Sequence, residues 1–344
     1  MKIIKSSVKI LDNDWSIKGI FRAIERAGRT CYKSIGTRYF RLEKGPENSL
    51  ESNLIKQAQN DPRVVCKQGA DFDPAYYLSI PNKFISDYLN IEQFDEENFE
   101  DSPYYENLTA EDFVNMLIKS GHGAMLEHGT VYLYDTYDIS AIGSWTNSLG
   151  YKYSKNKYSK VITNDHMDIR DIYITTNLRV LIENDWLDDL KYVCEPTEYH
   201  AKRVMIRFIC DRGVSHEIVR HRVMSFAQES TRYCNYSKNK FGQELTFIEP
   251  AWEFPSSNIV NTRERFEAML EEAEANYMEL ITLGFKPQEA RAILPNALKT
   301  EIVVTGFIDD WKHFFELRCD NAAHPDIRKL ALDLQKQFTE RNLI

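Results

Sequence analysis

Residues Ser215 to Tyr236 read S-H-E-I-V-R-H-R-V-M-S-F-A-Q-E-S-T-R-Y-C-N-Y, and they gather Arg220, His221, Arg222 and Arg232 in a chain of formal net charge −9. Ser215 can cap a helix with its hydroxyl. Val219, Val223 and Phe226 fall at i, i+4 and i+7, so the spacing predicts a short helix running through R-H-R. On such a helix Arg220 and Arg222 point about 200° apart. They serve one region only if the helix ends near them or if two ligand groups flank it. Gln228 to Arg232 follows as a polar loop with backbone N–H groups, hydroxyls and a guanidinium to offer an anion. Arginine's planar fork suits phosphate and keeps its charge at any working pH. A solvated basic helix end, favoured by the macrodipole, is the plainer alternative.

Composition narrows the classes. The chain has 344 residues, 43% hydrophobic and 28% charged, ordinary for a globular protein of one large or two modest domains. No apolar run reaches the ~20 residues of a bilayer span, and Met1 to Ile10 lacks a signal-peptide core. An acidic balance argues against non-specific nucleic-acid binding, which needs a broad basic surface. Anionic small molecules remain compatible where positive charge is concentrated. Cys31, Cys66, Cys194, Cys210, Cys234 and Cys319 form no C-x-x-C pair, so reduced, structural thiols in a cytoplasmic setting are expected.

Before the central stretch, Ile17, Ile20, Phe21, Ile24 and Ala27 predict a helix over 16–28 ended by Gly28. Residues 33–107 are polar, with an acidic run from Asp95 to Asp101 and prolines at 46, 62, 74, 81 and 103. They are expected to form an ordered insertion with no assigned chemistry. Thr109 with Asp112 resembles a capping box for a helix through Lys119, stopped by Gly121. In G-H-G-A-M-L-E-H (121–128), Glu127 and His128 are adjacent rather than four apart, so no metal site is expected. Residues 129–138 alternate as a half-buried strand, 140–159 read as a mobile loop, and 172–176 read as a strand. Asn177 should cap a helix towards Leu190. His200 to Cys210 reads as a strand with Val204, Ile206 and Phe208 on one face.

After it, Leu245–Ile248 is a short strand. Asn261 and Glu264 should box the start of the longest helix, stopped near Gly284, with Phe266, Met269, Leu270, Ala273, Tyr277, Leu280 and Ile281 as its buried stripe. Pro287 opens a short helix ending in A-R-A-I-L-P, Lys299–Thr305 is a strand, and Asp309 or Asp310 begins D-D-W-K-H-F-F-E-L-R. Pro325 opens the last helix, to about Arg341. Arg291 and Arg318 each end a largely apolar element and need an anionic or carbonyl partner. The pattern predicts one α+β domain over 1–344, a mixed sheet packed with long helices.

R-H-R, seven residues, Ser, then Arg two further on, resembles the signature of the flavin-dependent thymidylate synthases. The likeness extends to A-I-E-R-A-G-R-T-C-Y-K-S, G-H-x-x-x-x-E-H, R-F-I-C-D-R-G-V-S-H-E-I-V-R-H-R, Q-E-S-T-R-Y-C-N-Y-S-K, A-R-A-I-L-P, L-K-T and W-K-H-F-F-E-L-R. The resemblance implies that family's fold with 33–107 inserted, and conversion of dUMP to dTMP. Methylenetetrahydrofolate would be the one-carbon donor, NADPH would reduce bound FAD, no covalent enzyme nucleophile would act, and the protein would be a homotetramer with sites shared between subunits.

Carried onto this chain, the likeness gives Arg318 as the uracil-activating group. Glu217, Arg220, Gln228, Glu229, Ser230, Thr231, Arg232, Arg291 and Arg318 become dUMP ligands. His122, Ala124, Glu127, Arg220, His221, Arg222, Gln228, Phe307, Asp309 and His313 become the flavin region. Three positions depart from the family pattern: Ala124 for threonine, Phe307 for asparagine and Asp309 for arginine. An acid at 309 should weaken or redirect a pyrophosphate contact. Ser230 and Cys234 are tempting nucleophiles, but no general base sits beside Ser230 in any recognisable arrangement, and Cys234 reads as a packing thiol. The alternatives are a non-catalytic dUMP/flavin-binding homologue and a histidine phosphatase using His221, against which Arg222 stands where R-H-G has glycine.

Overall fold

Strand Arg203–Asp211 lies inside a four-stranded antiparallel sheet, ordered Ser225–Gln228, Lys299–Phe307, Arg203–Asp211, Ser7–Leu11. Alternation sends successive side chains to opposite faces. Val204, Ile206, Phe208 and Cys210 pack on one face against Trp311, Phe314 and Phe315 of helix Ile308–Arg318 and against Ile327, Leu330, Leu334 and Phe338 of helix Pro325–Glu340. Each such side chain contributes about 1.5–3 kcal/mol on burial. The indole N–H of Trp311 donates to the Val204 carbonyl at 3.3 Å. Met205, Val303 and Ala227 face the other way and receive Ala23 and Ala27 of helix Ile17–Tyr32.

The computed structural model describes residues 1–32, 39–42, 50–60, 65–68, 76–79, 105–106, 110–140, 145–238 and 242–344. Residues 1–34 with 114–344 form one compact unit, and residues 35–113 form another. The second holds an antiparallel sheet ordered Val65–Gln68, Tyr76–Ser79, Tyr39–Leu42, Tyr105–Glu106, and helix Leu50–Asn60. The acidic run Asp95 to Asp101, the five prolines between 46 and 103 and the capping residue Thr109 lie outside the described residues.

Two further sheets complete the larger unit. Thr130–Asp138, Ile169–Asn177 and Lys160–His166 form an antiparallel trio, and the first of these buries Val131, Tyr132 and Leu133. Lys2–Ile4 pairs parallel with Thr246–Ile248. Around that pair Leu245, Phe247, Leu270, Tyr277 and Leu298 make a separate core. The long helix Thr262–Thr282 begins as expected, with the Asn261 side-chain oxygen accepting from the N–H groups of Arg263 and Glu264, and it ends before Gly284 at φ +94°. Helix Ala110–Lys119 likewise ends before Gly121 at φ +72°.

Several local expectations are overturned. The first helix does not stop at Gly28. The Thr30 hydroxyl donates to the Arg26 carbonyl at 3.0 Å and Arg29 pairs with Glu25 at 2.5 Å, one turn apart. Burial of Ile24 and Ala27 outweighs the ~1 kcal/mol a helical glycine costs. Residues 145–159 carry a short helix, Leu149–Ser154, capped by Ser148 and anchored by the buried Tyr153, while 141–144 lie outside the described residues. Asn177 caps a helix only to Glu183; Asp185 at φ +58° breaks it, and a 3-10 turn, Leu187–Tyr192, follows. Met269 is 51% exposed, so the buried stripe of the long helix is narrower than its apolar pattern.

The most consequential correction falls on the central stretch. The helix is Arg212–Ile218, capped by Asp211, whose carboxylate accepts from Val214 N–H at 2.8 Å. It ends before R-H-R. Val219, Val223 and Phe226 form no stripe: Val223 is 72% exposed at φ +72°, and Phe226 sits in a strand opposite Val304. Pairing of 225–228 with Lys299–Phe307 satisfies those backbone groups and buries Ala227.

Candidate functional site

Arg318 closes its helix and reaches across to the end of Arg212–Ile218. Its Nη1 lies 2.6 Å from the Glu217 carboxylate, its Nη2 donates to the Glu217 carbonyl at 3.2 Å, and its Nε donates to Nε2 of His221 at 3.0 Å. A guanidinium only donates, so Nε2 of His221 accepts, and the neutral ring carries its proton on Nδ1. The ring is 7% exposed and packs edge-on against Phe314 at 4.9 Å, with His313 at 6.4 Å. Burial, then the charges of Arg318 and His313, press its pKa down to about 4.

The loop after strand Ser225–Gln228 is held by side chains of neighbouring elements. Nε2 of Gln228 donates to the Ser215 hydroxyl at 2.8 Å and the Thr300 hydroxyl at 3.2 Å. The Glu229 carboxylate is 3% exposed; it accepts from the Tyr236 hydroxyl at 3.0 Å and from Lys299 Nζ at 3.1 Å. Glu229 therefore anchors the loop from inside. Ser230 N–H donates to the Cys31 carbonyl at 3.0 Å, and Nη1 of Arg291 donates to the Thr231 hydroxyl at 3.3 Å. Arg232 lies over the Tyr233 ring at 5.5 Å. Cys234 is fully buried in the packing around Phe247.

Arg220, Arg222, Arg232 and Arg291 are all exposed, and none of them forms an ion pair with a carboxylate among the described residues. Elsewhere, Arg170, Arg179, Arg263 and Arg341 each hold an acid. Because the helix stops before R-H-R, the geometric objection to Arg220 and Arg222 sharing a region is removed.

The residues assigned by resemblance to the flavin fall into different surroundings. His122 and Ala124 are exposed. Glu127 is held by Arg179 at 2.6 Å, and His313 lies 3.2 Å from Glu316. Asp309 is tied to Lys160 at 3.0 Å, which depresses its pKa, and the same ammonium lies 4.4 Å from the centre of the Phe307 ring. On the ring's other contact, Arg203 lies at 5.5 Å. The chain thus joins Arg318, Glu217 and His221 directly, and Thr231 with Arg291, while Glu127 and Asp309 belong to separate ion pairs.

Sequence reading gave Ser215 only as a helix cap, a place that Asp211 takes, and it passed over Thr300, Lys299 and Arg203. Ser215 and Thr300 orient Gln228. Lys299 holds Glu229. Arg203, 6% exposed, donates to the Glu127 carbonyl at 3.0 Å, the Thr130 hydroxyl at 3.2 Å and the Ser225 hydroxyl at 3.3 Å. The available signal was a cation inside an alternating strand, at Arg203 and at Lys299. Glu217 also lines a cleft of ≈ 320 Å³, together with Asp211, Trp252, His324 and Asp326 among others. Its acidic lining repels phosphate, so it is not the anion site.

The chain is a mixed helix-and-sheet protein in which Arg220, Arg222, Arg232 and Arg291 have no carboxylate partner among the described residues. Residues 197–341 match the family model described as Thymidylate synthase complementing protein. Flavin-dependent thymidylate synthase of Pyrococcus furiosus is 35% identical over 136 residues, 39% of this chain and 52% of that protein. The Geobacter sulfurreducens protein of the same name is 34% identical over 123 residues, 36% and 50% of the two chains. The chain spans about half the length of the curated relatives it matches. Over little more than a third of its length the chain is similar to these flavin-dependent thymidylate synthases. A solved structure of a UMP/dUMP methylase from Streptomyces cacaoi, bound with 5-Br UMP, covers 40% of this chain and 69% of its own, with 16% identity and a TM-score of 0.33; a likeness of that size carries no argument.

Proposed function

We propose that this protein is a flavin-dependent thymidylate synthase that makes dTMP from dUMP, with methylenetetrahydrofolate as one-carbon donor and NADPH reducing bound FAD. The observation that carries it is the set of four exposed arginines without carboxylate partners among the described residues, in a chain of net charge −9. Such cations want phosphate. The family match over 197–341 contains all four.

The donor set fits an anionic dinucleotide: Arg220 and Arg222, which flank His221 in sequence, pair with no acid among the described residues, and they would hold FAD with His122, Ala124, Glu127, Gln228, Phe307, Asp309 and His313 around it. When bound, the flavin supplies hydride transfer. Ser230, Thr231, Arg232 and Arg291 would grip the nucleotide phosphate through hydroxyls, backbone N–H groups and guanidinia, with Glu217, Arg220, Gln228 and Glu229 completing the substrate loop. Arg318 would set positive charge against the uracil, stabilising the anion that develops as the ring becomes nucleophilic. No enzyme nucleophile is needed. On this reading residues 1–344 make one catalytic domain with 33–107 inserted, and copies assemble into a homotetramer. Exposed Leu283, Phe285 and Ile293, in the segment that carries Arg291, support an interface there.

A second reading, a non-catalytic homologue that binds dUMP and flavin, is favoured by one contact: Asp309 holds Lys160, neutralising a cation where a pyrophosphate contact is expected. Anaerobic turnover of dUMP with methylenetetrahydrofolate, FAD and NADPH separates the two. Formation of dTMP supports the synthase, and tight dUMP binding without any change at pyrimidine C5 supports the homologue. Release of phosphate from a monoester without flavin would instead revive His221 as a phosphatase nucleophile.

A further inference from the structure

Gln228 has a donor end and an acceptor end, and the fold decides which one a ligand meets. Ser215 is fully buried, and its single hydroxyl proton goes to the Arg212 carbonyl at 2.8 Å. Towards Gln228 it can therefore only accept, so the atom 2.8 Å away must be Nε2. The second hydrogen of Nε2 reaches the hydroxyl of Thr300, itself 1% exposed, at 3.2 Å. A flipped amide would set its carbonyl oxygen against a hydroxyl with no proton to give. Both donors are spent inside the fold. Oε1 bonds to none of the described residues, and Gln228 is half-buried.

We propose that Ser215 and Thr300 are positioning residues that lock Gln228 as a fixed carbonyl acceptor, making it the reader of an imide N–H on the bound ligand. The inference rests on the nucleotide-and-flavin function above for its two candidate sources. A pyrimidine-2,4-dione and an isoalloxazine both carry an N–H between two carbonyls, whereas a cytosine ring shows an acceptor at that edge. The lock rewards the imide and opposes its replacement, because a buried acceptor facing a methyl or a lone pair goes unsatisfied.

The test is equilibrium binding to the full-length protein, by calorimetry and by flavin fluorescence, of dUMP, N3-methyl-dUMP, FAD and its 3-methyl analogue. One parent compound should bind about tenfold or more tightly than its methylated analogue, which identifies the source of the imide. Thr300→Val should shrink that ratio while Thr300→Ser restores it, with thermal unfolding followed alongside. Ser215→Ala is the stronger but riskier variant, since it also frees the Arg212 carbonyl. If both parents bind and neither methylated analogue is disfavoured, or if Thr300→Val leaves the ratio intact, the proposal falls and the proposed function stands. If neither parent binds, both fall.

Discussion

Arg318 Nη1 sits 2.6 Å from the Glu217 carboxylate, so the guanidinium proposed to face the uracil is already held by an acid. The pair is partly buried, 17% and 27% exposed, and its charge-assisted bond is worth about 1.5–3 kcal/mol. Glu217 aims the guanidinium, and the backbone carbonyl of the same residue braces it.

Replacing Arg318 by Ala is expected to lower kcat/KM for dUMP by about two orders of magnitude, the effect of losing ~3 kcal/mol of transition-state stabilisation. The bound-flavin absorbance ratio should change less than twofold. Glu217→Gln should lower the rate less and raise KM. Steady-state kinetics beside the absorbance spectrum checks both, and flavin lost in parallel with activity would refute the separation of roles.

His221 gives a pH dependence with a definite sign. Its folded pKa, about 4, lies below the ordinary 6.5 because of burial and then Arg318 and His313; His128, fully buried near Arg203, is lowered to about 3. A histidine that resists protonation when folded contributes stability that is whole above pH 6.5 and is lost as pH falls towards 4. Allowing for solvent at the ring edge, His221 should account for about 2 kcal/mol of that loss. Urea midpoints at pH 7, 5.5 and 4.5 should fall steadily for the parent and less for His221→Gln. Equal slopes would place the loss elsewhere.

Val223 is a β-branched residue in the left-handed region, at φ +72°. Val223→Gly should relieve about 1 kcal/mol of strain and raise Tm by a few degrees. The same change frees the backbone beside Arg222, so retention of FAD should weaken modestly. Calorimetry and gel-filtration of the flavin complex report the two effects.

Glu229 and Lys299 form a pair 3% and 17% exposed. Lys299→Met alone strands a buried carboxylate and should cost about 3–5 kcal/mol. Lys299→Met with Glu229→Leu should recover much of it, because neither charge is then left alone. Denaturant titration of both variants measures the difference; equal costs would mean the pair is not coupled.

Arg222→Ala should chiefly loosen FAD, since no acid among the described residues competes for that guanidinium. Ser230→Ala should leave measurable turnover. The contacts of Ser230 are with backbone groups, the Cys31 carbonyl among them, and no base activates it. Abolished turnover with dUMP binding intact would make Ser230 a nucleophile after all.

The local grammar of this chain was legible because it depends on near neighbours. Alternation placed the strand of Val204, Ile206 and Phe208, the Asn261 box opened the long helix, and Gly121 and Gly284 ended theirs. The same grammar failed where two periods overlap. Val219, Val223 and Phe226 satisfy a helical spacing, yet Ser225 to Gln228 also fit a strand, and only the open edge of Lys299–Phe307 settles the choice. Gly28 misled for a related reason, since burial of the apolar face carried the helix past it.

By itself, the order of residues determined the mixed helix-and-sheet character, the cluster of arginines and the family likeness carried by R-H-R and its flanks. Tertiary structure alone decided the partnerships. Arg318 meets Glu217 across 101 positions, Lys299 meets Glu229 across 70, and Asp309 meets Lys160 across 149. Side chains so far apart are brought together by sheet register and by which helix face is buried. Those are outcomes of packing the whole core, and no local periodicity encodes them.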